Sequence, residues 1–416
     1  MTLFNLFIDP RPSPKIISTK IWIEGGSRCD EKKKRGSHQL LGSLLTRGCG
    51  PYSFFKLTDL IENCGANLDC ETFEDGLLLS LKCINDDAEK LIPILGWMIK
   101  EPHLEDKYLN IEKKLAIQSI KRQQENPFFV AYDSWRQITY RDSGYGHDPL
   151  GIIDEIKEIK NENLINLANT IPYRNKSIAL SGSVNENIKD KLLSIDPFNE
   201  LFNNNINTEN LYVNFKNNEI FNNKISMNFQ NTNQIVFIVG NSTVGYNHDD
   251  FLILNILSCH LGSGMSSKLF KELREKNGLA YDVGTHFPLR DFNTPFLIHA
   301  SSSVDKGLAT ITLIKRILYE LKENLISEDE LSLAKAKYKG HVALMKQTSS
   351  QIAERRVRLT NYKNQSDYDK NNLEKLERLS IGDIKKVSIK YLANPNISIC
   401  GPKNIVSKAA KEWLRN

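Results

Sequence analysis

The amino-acid sequence predicts an α+β protein made of two homologous α/β sandwich halves, each a mainly antiparallel sheet covered by helices. The main observation is that one series of strand and helix patterns occurs twice in the same order. The chain has 416 residues, of which 40% are hydrophobic and 25% are charged. This length is too great for one ordinary hydrophobic core, and the composition is typical of globular proteins.

The first series begins with an apolar, strand-like run and continues into an amphipathic helix. A glycine-bearing turn and a second helix follow, and Gly65 ends that helix as C-caps prefer. The predicted order is strand 16–24, helix 37–47, turn 48–50, helix 57–65, extended run 66–73, strand 77–83 and helices 88–99 and 106–124.

The second series repeats the first with small changes in loop length. Gly278 corresponds to Gly65 and Asp305 to Asp87, so the spacing between the halves changes by only a few residues. The predicted order is strand 234–240, helix 249–260, turn 262–264, helix 270–278, extended run 279–286, strand 296–301 and helices 309–321 and 328–345. Duplication of one α/β unit explains this repetition.

An asparagine-rich segment, residues 199–233, separates the two series and interrupts any long apolar period. We therefore predict two domains, residues 1–210 and 211–416.

The charge and cysteine content exclude several classes of protein. The net charge is +5, from 55 basic and 50 acidic side chains, which is too weak a field for a nucleic-acid-binding protein. No run approaches the roughly 18 apolar residues needed for a membrane span, and residues 1–10 lack a secretory signal pattern, so we expect a cytoplasmic protein. Seven cysteines without a Cys-x-x-Cys pair predict free thiols and argue against a zinc ribbon.

Four segments resemble one known family along most of the chain. They are Gly26-Ser27-Arg28, the helix around His38, the run Tyr-Gly-His-Asp-Pro-Leu-Gly at 145–151, and the long motif at 261–281. Together they are similar to the pitrilysin-type metallopeptidases, which include insulinase and mitochondrial processing peptidase. The resemblance implies the processing-peptidase-like fold.

In that family, zinc is bound by His-x-x-Glu-His on the first long helix and by a glutamate on a later helix. Residues four apart share a helix face, and the glutamate between the ligands takes a proton from bound water. Here the first histidine is His38, but Leu41 replaces the general base and Gly42 the second ligand. On the later helix, Glu112 matches an outer partner, and Ser119 stands where the family has its glutamate ligand.

The resemblance therefore implies a degenerate zinc site and no metal in this chain. One alternative remains open, in which Cys64, Cys70 or Cys83 forms an unfamiliar metal site beside His38 in an enzyme active by itself.

The second half retains residues that the family uses for its substrate. Arg274 and Tyr281 match an arginine and a tyrosine that orient the substrate and donate to the developing oxyanion. Gly262, Ser263 and Gly264 resemble the glycine-rich loop of non-catalytic processing-peptidase subunits. Structural roles are the alternative: an exposed arginine, a half-buried tyrosine and a loop that caps the following helix.

These features together predict a zinc-less subunit of a heterodimeric protease. Its partners would be a zinc-bearing homologous subunit and an extended peptide that adds as a strand to a sheet edge. Zinc is expected in the partner, so hydrolysis would require both chains. The alternative is a structural or assembly protein, like the family's core subunits in respiratory complexes.

Overall fold

The computed structural model describes residues 4–12, 14–184, 187–203, 223–359 and 368–415. The domain boundary predicted at residue 210 lies outside these residues. Contacts divide the chain into two compact units. No helix in the described ranges is both long enough and apolar enough to span a membrane.

The elements of residues 4–203 follow the predicted series closely. In chain order they are β1 (Phe4–Pro10), β2 (Ile16–Glu24), α1 (Ser37–Leu45), β3 (Gly48–Cys49), β4 (Tyr52–Ser53), α2 (Phe54–Asn63), β5 (Asn67–Thr72), β6 (Gly76–Ile84), α3 (Ala88–Lys100), α4 (Asp106–Gln124), α5 (Pro127–Tyr140), α6 (Ile153–Glu158), α7 (Asn161–Ala168), β7 (Lys176–Gly182), α8 (Ile188–Ser194) and α9 (Phe198–Asn203).

The elements of residues 223–415 repeat the main strands and helices of this order, although no counterpart of the short β3–β4 pair occurs among their described residues. They are β8 (Ile225–Phe229), β9 (Gln234–Ser242), α10 (Asp250–Gly262), a π-helix (Phe270–Lys276), β10 (Asp282–His286), β11 (Pro295–Ser303), α11 (Gly307–Glu323), α12 (Glu328–Leu344), α13 (Ser349–Arg358), α14 (Tyr368–Arg378), α15 (Ile381–Leu392), β12 (Asn396–Gly401) and α16 (Lys403–Leu414). The helix predicted at 270–278 thus has wider, π-type turns.

The two sheets have the same topology. The first sheet has the order β1-β7-β2-β6-β5, and the second, in the matching direction, has the order β8-β12-β9-β11-β10. Each sheet has one parallel pair of strands, located at one edge: β1 with β7 in the first sheet and β8 with β12 in the second. All the other pairs are antiparallel. This confirms the prediction of two homologous, mainly antiparallel α+β halves.

Each unit has its own hydrophobic core beneath its sheet. In the first unit, Ile21 of β2 and Leu79 of β6 are paired neighbours and pack with Leu44 of α1. In the second unit, Phe237 of β9 and Ile298 of β11 occupy the equivalent core. Area removed from water in these cores is the main stabilising contribution to each unit.

Both units contain a helix from the other half of the sequence. Residues 344–359 belong to the first unit, where α13 packs on β2 and β7. Residues 121–146 belong to the second unit, where α5 packs on β9 and β12. Because these helices cover the second face of each sheet, the central strands are buried on both faces. Buried and exposed residues therefore do not strictly alternate along them.

Candidate functional site

The side chain of Asp30 holds the first turn of α1. One carboxylate oxygen, Oδ2, accepts a hydrogen bond from the Gly36 N–H at 2.7 Å, and Oδ1 accepts from the His38 N–H at 3.1 Å. Oδ1 also lies 2.6 Å from Nδ1 of the His38 ring. Asp30 therefore satisfies backbone donors that a helix start leaves unpaired, and it also fixes the ring of His38.

The other ring nitrogen of His38 is paired with an arginine. Nη1 of Arg174 lies 3.0 Å from Nε2 of His38. A guanidinium can only donate, so Nε2 accepts, and the ring proton lies on Nδ1, where it is donated to Asp30. The lone pair with which a neutral histidine binds a metal is thus occupied by Arg174.

Arg174 is itself held in place by backbone groups. Its Nη1 donates to the Gly25 carbonyl at 2.6 Å, and its Nε lies 3.2 Å from Oγ1 of Thr170. Lys176, only 2% exposed, donates to the Arg174 carbonyl at 2.6 Å and to the Pro172 carbonyl at 2.6 Å. The turn that carries Arg174 is therefore rigidly connected to β7.

Burial and hydrogen bonding set the charges of this cluster. Burial lowers the pKa of His38 below its ordinary value, although hydrogen bonding to Asp30 acts in the opposite direction. Burial by itself would raise the pKa of Asp30, but hydrogen bonds from His147 and His38 outweigh it and lower that pKa to about 2. Near neutral pH, Asp30 is therefore an anion and His38 a neutral ring.

Leu41 and Gly42, the positions that the resemblance assigns to the base and the second ligand, both lie in closely packed surroundings. Leu41 is 0% exposed and lies in the hydrophobic core of the first unit. At Gly42, a Cβ atom would lie 2.7 Å from Oγ1 of Thr72 and 3.4 Å from Sγ of Cys70. The helix therefore packs closely on β5 at Gly42, and the side chains of Thr72 and Cys70 occupy the space that a side chain at this position would enter.

The two positions on α4 have different surroundings. Glu112 is buried and accepts hydrogen bonds from Nε of Arg47 at 2.9 Å and Nη2 of Arg47 at 2.6 Å. Ser119, two helical turns further on, is exposed. Glu112 thus forms a partly buried ion pair.

The donor set of the first unit does not fit zinc. His38 provides no free nitrogen, and the described part of the chain contains no group of three His, Cys, Asp or Glu side chains that could hold a metal ion. Burial raises the pKa of Cys70 and raises that of Cys83 to about 11, so both remain neutral thiols. These observations argue against the alternative in which the cysteines replace the lost ligands.

Arg274 and Tyr281 lie together in the second unit. Nη1 of Arg274 donates to the backbone carbonyl of Tyr281 at 3.0 Å, and its guanidinium lies 5.1 Å from the ring centroid of Phe270. The Tyr281 side chain is 66% exposed, and its hydroxyl forms no hydrogen bond with any described residue. The arginine therefore positions the tyrosine backbone, while the phenol remains available as a donor.

Tyr281 lines an open cavity of about 860 Å³ within the second unit. The other lining residues are mostly polar and uncharged; they are Glu125, Pro127, Gln230, Asn231, Thr232, Asn233 and Gln234. Amide side chains and backbone groups of this kind offer both donors and acceptors to a polar ligand.

The loop at 262–264 follows α10 and is fixed by α12. A Cβ at Gly262 would lie 2.3 Å from the Thr285 nitrogen, so the loop packs closely on β10. Ser263 accepts a hydrogen bond at its carbonyl from Nζ of Lys337 at 2.7 Å, and its Oγ lies 3.1 Å from Nε2 of His341. Gly264 has a φ of +73°, which glycine adopts without strain.

Sequence patterns did not indicate a functional role for Asp30, Arg174, Lys176 or His341. Asp30 had only a weak local signal, because the N-cap of α1 is Gly36 and capping preferences do not extend to a residue six positions earlier. Arg174 had none, because it is separated from His38 by 136 residues.

Comparison with known proteins places these features in a family. Residues 9–150 match the model described as Insulinase (Peptidase family M16), and residues 177–338 match the model described as Peptidase M16 inactive domain. An uncharacterized zinc protease of Bacillus subtilis (strain 168) is 20% identical over 352 residues, which cover 84% of each chain. The human mitochondrial-processing peptidase subunit beta is 26% identical over 180 residues, which cover 43% of this chain and 36% of that protein.

Solved structures share the fold. A peptidase M16 inactive domain from Pseudomonas fluorescens has a TM-score of 0.83 at 18% identity and covers 96% of both chains. A protease from Helicobacter pylori has a TM-score of 0.81 at 18% identity, over 95% of this chain and 97% of that chain. A chain of complex III from Candida albicans has a TM-score of 0.75 at 16% identity, over 98% and 97%. The protein therefore belongs to peptidase family M16, the insulinase or pitrilysin family, as a member that lacks the zinc-binding His-x-x-Glu-His motif.

Proposed function

We propose that this chain is the zinc-less subunit of a heterodimeric M16 protease and that it acts on an extended peptide together with a zinc-bearing homologous subunit. The observation that carries the proposal is the pairing of Arg274 with Tyr281, which leaves the tyrosine hydroxyl exposed at an open cavity. The partner would provide the metal and the general base, and this chain would provide donors for the substrate.

The chemistry of the pair suits that role. A phenol hydroxyl is a strong neutral donor, and a preorganised donor aimed at the oxygen on which charge develops lowers the barrier to acyl transfer. The hydrogen bond from Arg274 to the Tyr281 carbonyl fixes the start of β10, so the phenol requires little reorganisation. The loop formed by Gly262, Ser263 and Gly264 would contact the same peptide.

The contacts of the first unit support the proposal that hydrolysis requires two chains. His38 is engaged by Asp30 and Arg174, and a Cβ at Gly42 would meet Thr72, which supports a proposal in which the partner holds the catalytic metal. A protein with substrate donors and no metal site requires a second subunit for hydrolysis.

The test is peptide cleavage by the complex. The chain is purified with a zinc-bearing homologue from the same source, and turnover of an unstructured peptide is measured for the wild type, Tyr281→Phe and Arg274→Ala. We expect Tyr281→Phe to lower kcat by about 10- to 1,000-fold with little change in KM, as expected for removal of an oxyanion donor.

Two exposed residues of the same unit provide matched controls. Tyr319→Phe removes a phenol hydroxyl from a side chain that is 59% exposed on α11, and Lys276→Ala removes a cation from the helix that carries Arg274. Both controls should retain wild-type turnover. Wild-type turnover in Tyr281→Phe and Arg274→Ala would instead favour the structural or assembly role, in which the family fold is kept without a part in proteolysis.

A further inference from the structure

A serine, a histidine and a cysteine contact one another in series where the loop after α10 meets α12. None of them belongs to the Arg274–Tyr281 pair. Oγ of Ser263 lies 3.1 Å from Nε2 of His341, and Nδ1 of the same ring lies 3.9 Å from Sγ of Cys259. Nucleophile, base and orienting group stand in this order in hydrolases that use an activated hydroxyl.

The helices explain why these side chains meet. Lys337 and His341 are four residues apart on α12 and therefore share a helix face. Cys259 lies in the last turn of α10, and Ser263 directly follows that helix. Lys337 donates to the Ser263 carbonyl at 2.7 Å, which connects this end of α10 to α12.

We propose that Ser263 is a reactive nucleophile, activated by His341 as general base, which takes acyl groups from small activated esters. Ser263 Oγ attacks the carbonyl carbon, and its proton passes to Nε2 of His341. The alcohol leaving group departs with that proton, and an ester bond to Ser263 forms. Water then attacks the ester, and the acid is released as the serine regains its proton.

The surroundings of Ser263 are suited to this step. In the activating arrangement the ring proton lies on Nδ1 of His341 and faces the sulfur of Cys259, while Nε2 accepts from the serine hydroxyl. Burial raises the pKa of Cys259 to about 11, so the sulfur is a neutral thiol that does not compete as a nucleophile. The Lys337 ammonium lies beside the loop and favours negative charge on the serine oxygen.

The loop is also open to a substrate. A Cβ built on Gly264 would meet nothing within 4 Å, and the neighbouring Met265 is 73% exposed. A small ester can therefore approach Ser263 from the outer side of the loop, where Met265 offers an apolar contact.

The experiment uses the full chain alone, without a partner or a peptide. The protein is incubated with a fluorophosphonate probe, the labelled residue is located by mass spectrometry, and hydrolysis of p-nitrophenyl acetate is followed in parallel. We expect one adduct, on Ser263, that is absent in Ser263→Ala. His341→Gln should lower the labelling rate by roughly 100-fold, the size of a general-base contribution.

Controls separate activation from loss of structure. Ser266→Ala changes an exposed serine of the same loop and should label at the wild-type rate. Added imidazole should restore part of the labelling in His341→Ala, which a purely structural role of the ring would not permit. An adduct on another residue, or undiminished labelling of Ser263 in His341→Gln, would overturn the proposal, and neither result would bear on the peptide-cleavage test of Tyr281.

Discussion

Nη1 of Arg174 donates to Nε2 of His38 across 3.0 Å inside the first unit. His38 thus forms part of a buried chain of hydrogen bonds that runs from Asp30 to Arg174. The guanidinium of Arg174 places a positive charge beside His38. It also connects α1 to the Gly25 carbonyl.

The first prediction concerns the contribution of Arg174 to stability. Arg174→Met keeps much of the volume but removes the donors to His38 and to the Gly25 carbonyl. We expect a loss of about 2–4 kcal/mol in the free energy of unfolding, since buried acceptors lose a charged donor. Urea unfolding measures the loss, with Arg316→Met on the exposed face of α11 as a control expected to stay within about 0.5 kcal/mol. Equal stability of the two variants would contradict the prediction.

The second prediction concerns the stability of the protein at acidic pH. The pKa of Asp30 is lowered to about 2 in the folded state, chiefly because hydrogen bonds from His147 and His38 outweigh the effect of burial. A lowered carboxyl pKa contributes stability above the unfolded-state pKa of about 4, and this contribution of about 2 kcal/mol is lost as the pH falls towards 2. The difference in unfolding free energy between the wild type and Asp30→Asn should therefore shrink between pH 5 and 2. A constant difference across that range would exclude Asp30 as its source.

The third prediction concerns the stability of the protein at alkaline pH. Burial lowers the pKa of Lys176 to about 7, whereas an unfolded lysine titrates near pH 10.4. Between these values the unfolded state binds more protons, so stability should rise with pH by up to about 4 kcal/mol. Lys176→Met should lack this rise, and the comparison of the two unfolding profiles from pH 7 to 10 isolates it. Parallel profiles would show that Lys176 is not the titrating group.

The fourth prediction concerns the close packing of α1 on β5. Gly42→Ala places a methyl group 2.7 Å from Oγ1 of Thr72, and we expect a loss of about 1–3 kcal/mol that becomes smaller in a Thr72→Ala background. Gly340→Ala is the matched control, because this glycine lies in α12 and a Cβ there meets nothing within 4 Å. The control should gain up to about 1 kcal/mol from helix propensity. A gain in Gly42→Ala would show that the helix does not lie on β5 as described.

Sequence patterns predicted most of the regular elements because these depend on local information. The apolar runs at 16–24 and 234–240 appear as β2 and β9, and the 19-residue helix at 106–124 has the predicted bounds. The repeat itself predicted that both sheets would share one topology. The exchange of α5 and α13 between the units was not predicted, because periodicity tells which face of a helix is apolar but not which sheet it covers.

The sequence by itself determined that no His-x-x-Glu-His motif is present and that His38 is followed by Leu41 and Gly42 at that spacing, since a residue type at a fixed helical spacing needs no further context. Only the tertiary structure decided what His38 does instead. Arg174 and Asp30 reach its ring from separate segments, and such contacts follow from the packing of the whole sheet rather than from any local pattern.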